Sequence, residues 1–394
     1  MRHDPLKFLS DELDALRAHD AMGTIRVLDG PQLAKASIDG RVVVNLASNN
    51  YLGLTTHPRL VEAALEATRR FGVGSGSVRT IAGTLTLHEE LEQRIAAFKQ
   101  TEAAVVFQSG FTANAGTVAA VLTRHDAVVS DELNHASIID GCRLSRATLH
   151  VFAHRDVEAA RARVKEVPAG RRTLLITDGV FSMDGDLGPL PGLCQVAEES
   201  GAIMMVDDAH ASGVFGRHGR GTVDHFGMHG CVDIQVGTLS KALGTLGGYV
   251  AGRRHLIEYL RQRARPFMFS TSHPPAVAAA SIAALDVLLE EPQLIDRLWE
   301  NTRFFKAGLQ QLGFDTGTSE SPITPVMVGE AKTAATMSAR LFEQGVFALG
   351  IGYPIVPKGK ARLRTIVTAT HTREDLQFAL DAFAKVGRDL GILN

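Results

Sequence analysis

The stretch GTLSKALGTLGGYVAG, residues 237–252, holds a single lysine, Lys241, between small and hydroxyl residues, with glycines crowded behind it. A lysine ordinarily sits on a solvated face among other charges. Here both charge and bulk are cleared away. The lysine falls between two short apolar runs, VDIQVGT ending at Thr238 and GGYVAG ending at Gly252, and each reads as a buried strand. The texture repeats outward from this point. AAVVFQSG, DAVVSDE, TLHVFAH, TLLITDG and AIMMVDD are further apolar runs of strand length. Helical patterns separate several of them, such as LPGLCQVAEESG with its glycine stop at Gly201. Nearly continuous apolar strands alternating with helices predict an α/β unit on a mainly parallel sheet.

Beyond about residue 285 the texture changes. Long helical patterns (PQLIDRLWENTRFFKAGLQQLG) precede short strands (ITPVMVG, ARLRTIVTAT) and a final helix (TREDLQFALDAFAKVGRDLG). The expected organisation is an N-terminal arm and helix over 1–50, a large unit over 51–285 and a smaller α+β unit over 286–394. A chain of 394 residues is longer than one hydrophobic core usually serves, which agrees. The arm carries Leu6, Phe8, Leu9, Leu13 and Leu16 at amphipathic-helix spacing and is too charged for a secretion signal.

The formal net charge of -2 gives no electrostatic reason to expect nucleic acid or an anionic membrane as a partner. The three cysteines, Cys142, Cys194 and Cys231, show no CxxC spacing. Neither a disulfide framework nor a zinc site is indicated, and a reducing cytoplasm is expected. PPAVAAASIAALDVLLEE, the most apolar later run, is broken by Asp286 and reads as a buried helix, not a membrane span.

The chemically suggestive residues gather where strands end, the edge at which α/β sheets bind ligands. In VVFQSGFTANAG a strand passes through a Ser-Gly turn into a helix. The N–H groups of Gly110 and Phe111 suit a phosphate there, or the turn is simply a connection. IMMVDDAHASG ends a strand with Asp207, Asp208 and His210, which read as a metal site, a capped turn, or an acid set against a ring nitrogen. ITDGVFSMDGDLGPL offers Asp178, Ser182, Asp184 and Asp186 at a calcium-like spacing, but lacks the glutamate that closes such a loop. His135 in SDELNHASIIDG is, taken alone, a structural histidine. GxSxG, HExxH and Walker A patterns are all missing, and no metal is expected.

Seven segments in order, LASNNYLGL, SGFTAN, DELNHASIIDG, DGVFSMDGD, VDDAHASG, GTLSKALGTLGGY and ARLRTIVTATHT, span nearly the whole chain. Together they resemble the fold-type I pyridoxal 5'-phosphate enzymes, and more narrowly the α-oxoamine synthases, which condense an amino acid with an acyl-CoA. The resemblance implies a role for each matched residue. Lys241 would form the Schiff base with the cofactor, which needs a free amine that a desolvated site favours. Asp207 would pair with the pyridine nitrogen, His210 with the phenolic oxygen, and His135 would stack on the ring, with Ser182 facing it. Gly110, Phe111 and Thr238 would hold the phosphate, and Ser270 and Thr271 would reach the phosphate of a neighbouring subunit, which implies a homodimer. Asn49 and Arg364 would bind the amino-acid carboxylate, for which a guanidinium fork is suited. Arg362 lies two residues from Arg364 on the same strand face, so spacing alone does not separate them. The motif favours Arg364.

Within the family, SVRTIAGT around Arg79, GYPIVPKGKARLR and VFSMDGDLGPL lean toward the glycine C-acetyltransferase branch, joining glycine to acetyl-CoA in threonine breakdown. The alternative is 8-amino-7-oxononanoate synthase, joining alanine to a pimeloyl thioester in biotin synthesis, or both activities. An aminotransferase would share Lys241 and Asp207 but is disfavoured by the whole-length resemblance.

Overall fold

A computed structural model describes residues 4–18, 25–353 and 355–393 of the chain. Its strands in chain order are β1 (Lys35–Ile38), β2 (Arg41–Asn45), β3 (Ala103–Phe107), β4 (Ala127–Asp131), β5 (Thr148–Phe152), β6 (Thr173–Asp178), β7 (Ile203–Asp207), β8 (Ile234–Thr238), β9 (Gly248–Gly252), β10 (Ile323–Gly329), β11 (Val346–Phe347), β12 (Leu349–Ile351) and β13 (Ala361–Ile366). Seven of them make one sheet in the order β3-β9-β8-β7-β6-β4-β5. The pairings from β8 to β5 are all parallel, whereas β9 runs antiparallel to both β8 and β3. The expected parallel sheet thus contains one reversed strand. Only residues 239–247 separate β8 from β9. A parallel return needs a crossover of about a dozen residues or more, so the chain turns straight back.

The sheet is buried on both sides. Val128, Ile176 and Met205 enter one apolar cluster, while their chain neighbours Val129, Leu175, Met204 and Val206 enter another. That period of two explains why these strands read as unbroken apolar runs. The carboxyl ends of β3, β4, β6, β7 and β8 share one edge with the amino end of β9. The predicted glycine stop is present: the helix Leu190–Ser200 ends at Gly201, whose φ of 68° a residue with a side chain adopts only at a cost. The helix Pro275–Glu290 is buried and packs on Pro58–Phe71. Among the described residues no helix is long and apolar enough to cross a membrane.

Two three-stranded sheets, β10-β13-β12 and β1-β2-β11, lie outside the large one. The second joins the two ends of the sequence. Val44 N–H donates to Gly345 O at 2.8 Å and Leu46 N–H to Phe347 O at 2.9 Å. Ile366 N–H then donates to Leu46 O and Ala369 N–H to Tyr51 O, each at 2.7 Å. The strand expected over ARLRTIVTAT stops at Ile366, because the following residues turn to make that last bond and to cap the helix Arg373–Asp389 at Thr372. The N-terminal helix is present as Lys7–Ala18, with Phe8, Leu9, Leu13 and Leu16 exposed in the single chain.

Candidate active site

The strand-end residues line a cavity of about 200 Å³ whose walls include Gly110, Phe111, Asn114, His135, Asp178, Ser182, Asp207, His210, Thr238 and Lys241. Asp207 closes β7 and is 5% exposed. Its Oδ1 accepts from the Ala209 N–H at 2.9 Å and its Oδ2 from Asn114 Nδ2 at 2.6 Å. The same Asn114 amide donates to Ser137 Oγ at 3.0 Å. Ser137 Oγ lies 2.7 Å from His135 Nδ1, which also accepts the Ser137 N–H at 3.2 Å. Nδ1 is therefore an acceptor and the neutral ring carries its proton on Nε2. Burial, aided by Lys241 and opposed by Asp207, keeps His135 below its ordinary pKa.

His210 is buried, and its Nδ1 lies 2.7 Å from the Tyr51 hydroxyl. Burial, reinforced by the charges of Lys241 and Arg364, holds this imidazole well below its usual range, so it is neutral. Tyr51 is fully enclosed and its hydroxyl is pushed up, so it keeps its proton. Lys241 is drawn down to about 8 by burial, helped by Arg364 and resisted by Asp207.

At the other end of the cavity the helix Gly110–Val121 begins. The Ser109 hydroxyl caps it by accepting the Thr112 N–H at 3.1 Å, and the first-turn N–H groups of Gly110 and Phe111 have no partner within the helix. A Cβ at Gly248 would fall 2.3 Å from Ser109 O, so the backbone closes on the start of this helix only because that position is glycine.

Arg364 stands beside the cavity, with Nε donating to Ser182 O at 2.5 Å and Nη2 to Asn49 Oδ1 at 3.3 Å. Arg362 is 3% exposed and turned to other partners, the Asp184 carboxylate and Met183 O. Ser270 and Thr271 lie outside the cavity wall of their own chain; Thr271 is exposed and its carbonyl accepts from Gln108 Nε2 at 2.8 Å. Asp208 points away from Asp207 and pairs with the buried Lys99 at 2.8 Å. Asp184 and Asp186 likewise have separate basic partners, Arg362 and His154. Among the described residues no three His, Cys, Asp or Glu groups are placed to share a metal ion.

Tyr51 and Asn114 had no assigned role in the sequence, although both lie inside matched motifs. Their partners are 159 and 93 residues away, so no local pattern marks them. The donor set fits pyridoxal phosphate. A held acid, two neutral imidazoles, an amine and a helix N-terminus face one cavity. Two buried oxygens at its wall, Asn114 Oδ1 and Asp178 Oδ1, have no partner among the described residues.

The family described as aminotransferase class I and II matches residues 41–383. A protein of Symbiobacterium thermophilum named 8-amino-7-oxononanoate synthase is 59% identical over 387 residues, 98% of this chain and 99% of its own. A protein of the same name from Thermoanaerobacter pseudethanolicus is 56% identical over 392 residues, 99% of each chain. Among solved structures, a lysine-to-alanine variant of serine palmitoyltransferase from S. paucimobilis with a bound PLP–myriocin aldimine has a TM-score of 0.94 at 33% identity, covering 99% of this chain and 100% of that one. The chain belongs to the aminotransferase class I and II family, among its pyridoxal-phosphate-dependent, acyl-transferring α-oxoamine synthases.

These relatives overturn the glycine C-acetyltransferase expectation, since the full-length matches at 53–59% identity carry the other name. The structure gives the physical reason the motifs misled. Arg79 is buried in an ion pair with Glu92, and VFSMDGDLGPL is tied to Arg362 and His154. The Arg79 stretch is framework, whereas the second also lines the cavity at Ser182. The third, GYPIVPKGKARLR, includes Pro354, which lies outside the described residues.

Proposed function

We propose that the chain is an 8-amino-7-oxononanoate synthase, condensing alanine with a pimeloyl thioester and releasing the thiol and CO2. The observation that carries this reading is 59% identity over 98% of the chain to a protein of that name. When bound, pyridoxal phosphate supplies an electron sink for charge at the amino-acid α-carbon. Lys241 Nζ is the base that takes the α-proton; a pKa near 8 leaves a working share of it unprotonated close to neutrality. Asp207, fixed through both oxygens, would hold the pyridine nitrogen in its protonated form. His135, with its proton on Nε2, would hold the ring. The Tyr51 hydroxyl stands 2.7 Å from His210 Nδ1; donating there, it would place the His210 proton on Nε2 for the phenolic oxygen. Gly110, Phe111 and Thr238 would hold the phosphate, and Ser182 would face the cofactor.

Arg364, steadied by Ser182 O and Asn49, binds the alanine carboxylate. The commitment of Arg362 to Asp184 supports choosing Arg364 over it. Ser270 and Thr271, surface residues in one chain, complete the phosphate site of a second copy, so the working form is a homodimer. On this reading residues 51–285 form the cofactor unit, 286–394 the small unit and 1–50 an arm.

The test is thiol release by the cofactor-loaded protein. Alanine with pimeloyl-CoA should clearly outpace glycine with acetyl-CoA. Equal or reversed rates would overturn the substrate reading while leaving the family untouched.

A further inference from the structure

The Ser182 carbonyl orients Arg364, so the loop that carries Ser182 decides where that guanidinium stands. This loop, residues 180–187, is closed on itself by the bridge between Val180 and Leu187 and by the Phe181 N–H bond to Asp186 O at 3.0 Å. One histidine pins it from outside the cavity. His154 follows β5 and places Nδ1 3.0 Å from Asp131 Oδ1 and Nε2 3.0 Å from Asp186 Oδ2. Both carboxylates are buried. Donation from both nitrogens requires an imidazolium. Burial opposes that charge, but the two acids prevail and lift the ring to about 9.

The surroundings are built to hold the clamp. Asp131 ends β4, and its two oxygens also accept the Leu133 and Arg155 N–H groups at 2.9 Å each. Arg155 is kept at a φ of 61°, a left-handed conformation that is costly for a residue with a Cβ. Its guanidinium reaches Asp186 and Glu320, and Glu320 accepts the Leu187 N–H. The Phe181 ring meets the His154 ring edge-on at 4.4 Å. The His154 cation therefore ties the end of β4 to both ends of the loop, beside the Arg155 contact to Asp186 and the Arg362 contacts to Met183 and Asp184. A glutamine at this position could serve only one of the two carboxylates.

We infer that His154 is a positioning residue for amino-acid recognition: its two-ended ion pair fixes the 180–187 loop, and the loop's Ser182 carbonyl sets Arg364. The inference rests on the reading of Arg364 as the carboxylate binder. The cofactor-loaded enzyme is titrated with alanine, following cofactor absorbance, for wild type, His154→Gln, Asp186→Asn and Arg364→Lys. Amide hydrogen exchange over residues 180–188 is followed alongside. His154→Gln should raise the alanine Kd about tenfold and leave the acyl-CoA KM within about twofold, the pattern of a misplaced binding group. Exchange at Phe181, Gly185 and Gly188 should quicken. An unchanged alanine Kd in a folded His154→Gln overturns the inference. If that variant does not fold, Asp186→Asn, which keeps the Asp131 half of the clamp, takes its place, and an unchanged Kd there overturns the inference equally. An unchanged Kd in Arg364→Lys would remove the ground of the inference. Loss of affinity in Arg364→Lys alone would remove only the clamp.

Discussion

Changing Glu92 to glutamine asks whether the stretch around Arg79 is framework or selects the acyl group. Glu92 is 2% exposed and accepts from Arg79 Nη1 at 2.8 Å, Arg79 Nη2 at 3.1 Å, Arg261 Nη2 at 2.7 Å and the Val106 N–H at 3.0 Å. Glutamine keeps the shape but removes the charge and turns one acceptor into a donor aimed at a guanidinium. The Arg79 side chain is 5% exposed and has no water to fall back on, whereas that of Arg261 is 41% exposed and does. Breaking a buried pair costs about 3–5 kcal/mol, and the solvated Arg261 argues for about 3. With an unfolding entropy of about 2.1 cal/mol/K per residue over this chain, that loss lowers Tm by about 4 °C. Calorimetry of the cofactor-loaded protein reads the shift. Thiol release with alanine and pimeloyl-CoA against glycine and acetyl-CoA reads the preference, which should not move. A fall in Tm under about 1 °C would show that the network carries no stability. A preference altered more than about threefold would return the Arg79 stretch to acyl selection.

Tyr51→Phe removes the hydroxyl that sets the His210 proton; kcat should fall about tenfold, as for a buried hydrogen bond left unmade, with circular dichroism unchanged, and wild-type kcat would refute that role. Arg364→Met should raise the alanine KM far more than Arg362→Met, and Arg362→Met should lower Tm more; the opposite order would show that the wrong arginine was assigned. Borohydride reduction and peptide mass analysis should find the cofactor on Lys241 in wild type, and attachment elsewhere would end that assignment. His154 is raised in the fold, so its contribution to stability is complete below its ordinary value of about 6.5 and is lost as pH climbs through about 9. The groups bearing on it are Asp131, Asp186, Arg155 and Glu132, whose carboxylate accepts the His154 N–H. Wild-type Tm should therefore drop more than that of His154→Gln across this alkaline range; parallel falls would contradict the clamp.

The strands of the large sheet were legible because burial on both faces writes an apolar run that needs no partner to be recognised. The site's first residues were legible for a related reason, since each sits at the end of such a strand or within four positions past it. What escaped was pairing at a distance. Nothing near Asn114 tells of Asp207, nothing near Tyr51 tells of His210, and His154 carries no motif although it holds two separate acids. β1 and β2 were missed although they pair with each other in a local hairpin across Asp39 and Gly40, both at positive φ; the reading followed long apolar runs, and these two short, partly exposed strands do not make one. The choice of branch failed for a different reason. The SVRTIAGT stretch reads as a mark of substrate, while its arginine is spent on a buried ion pair.

The joining of residues 44–51 to residues 345–347 and 366–369 has a consequence for how the protein is made. Asn49 and Tyr51 leave the ribosome early, but the backbone that seats them is among the last to emerge. A nascent chain can assemble its large sheet and still lack a finished active site. Fragments that end before β11 are expected to be folded in part and catalytically silent, with β2 left as an open edge available to other chains. The segments that finish the site also finish the core cluster that runs from Val44 to Val386, so site and core are completed together.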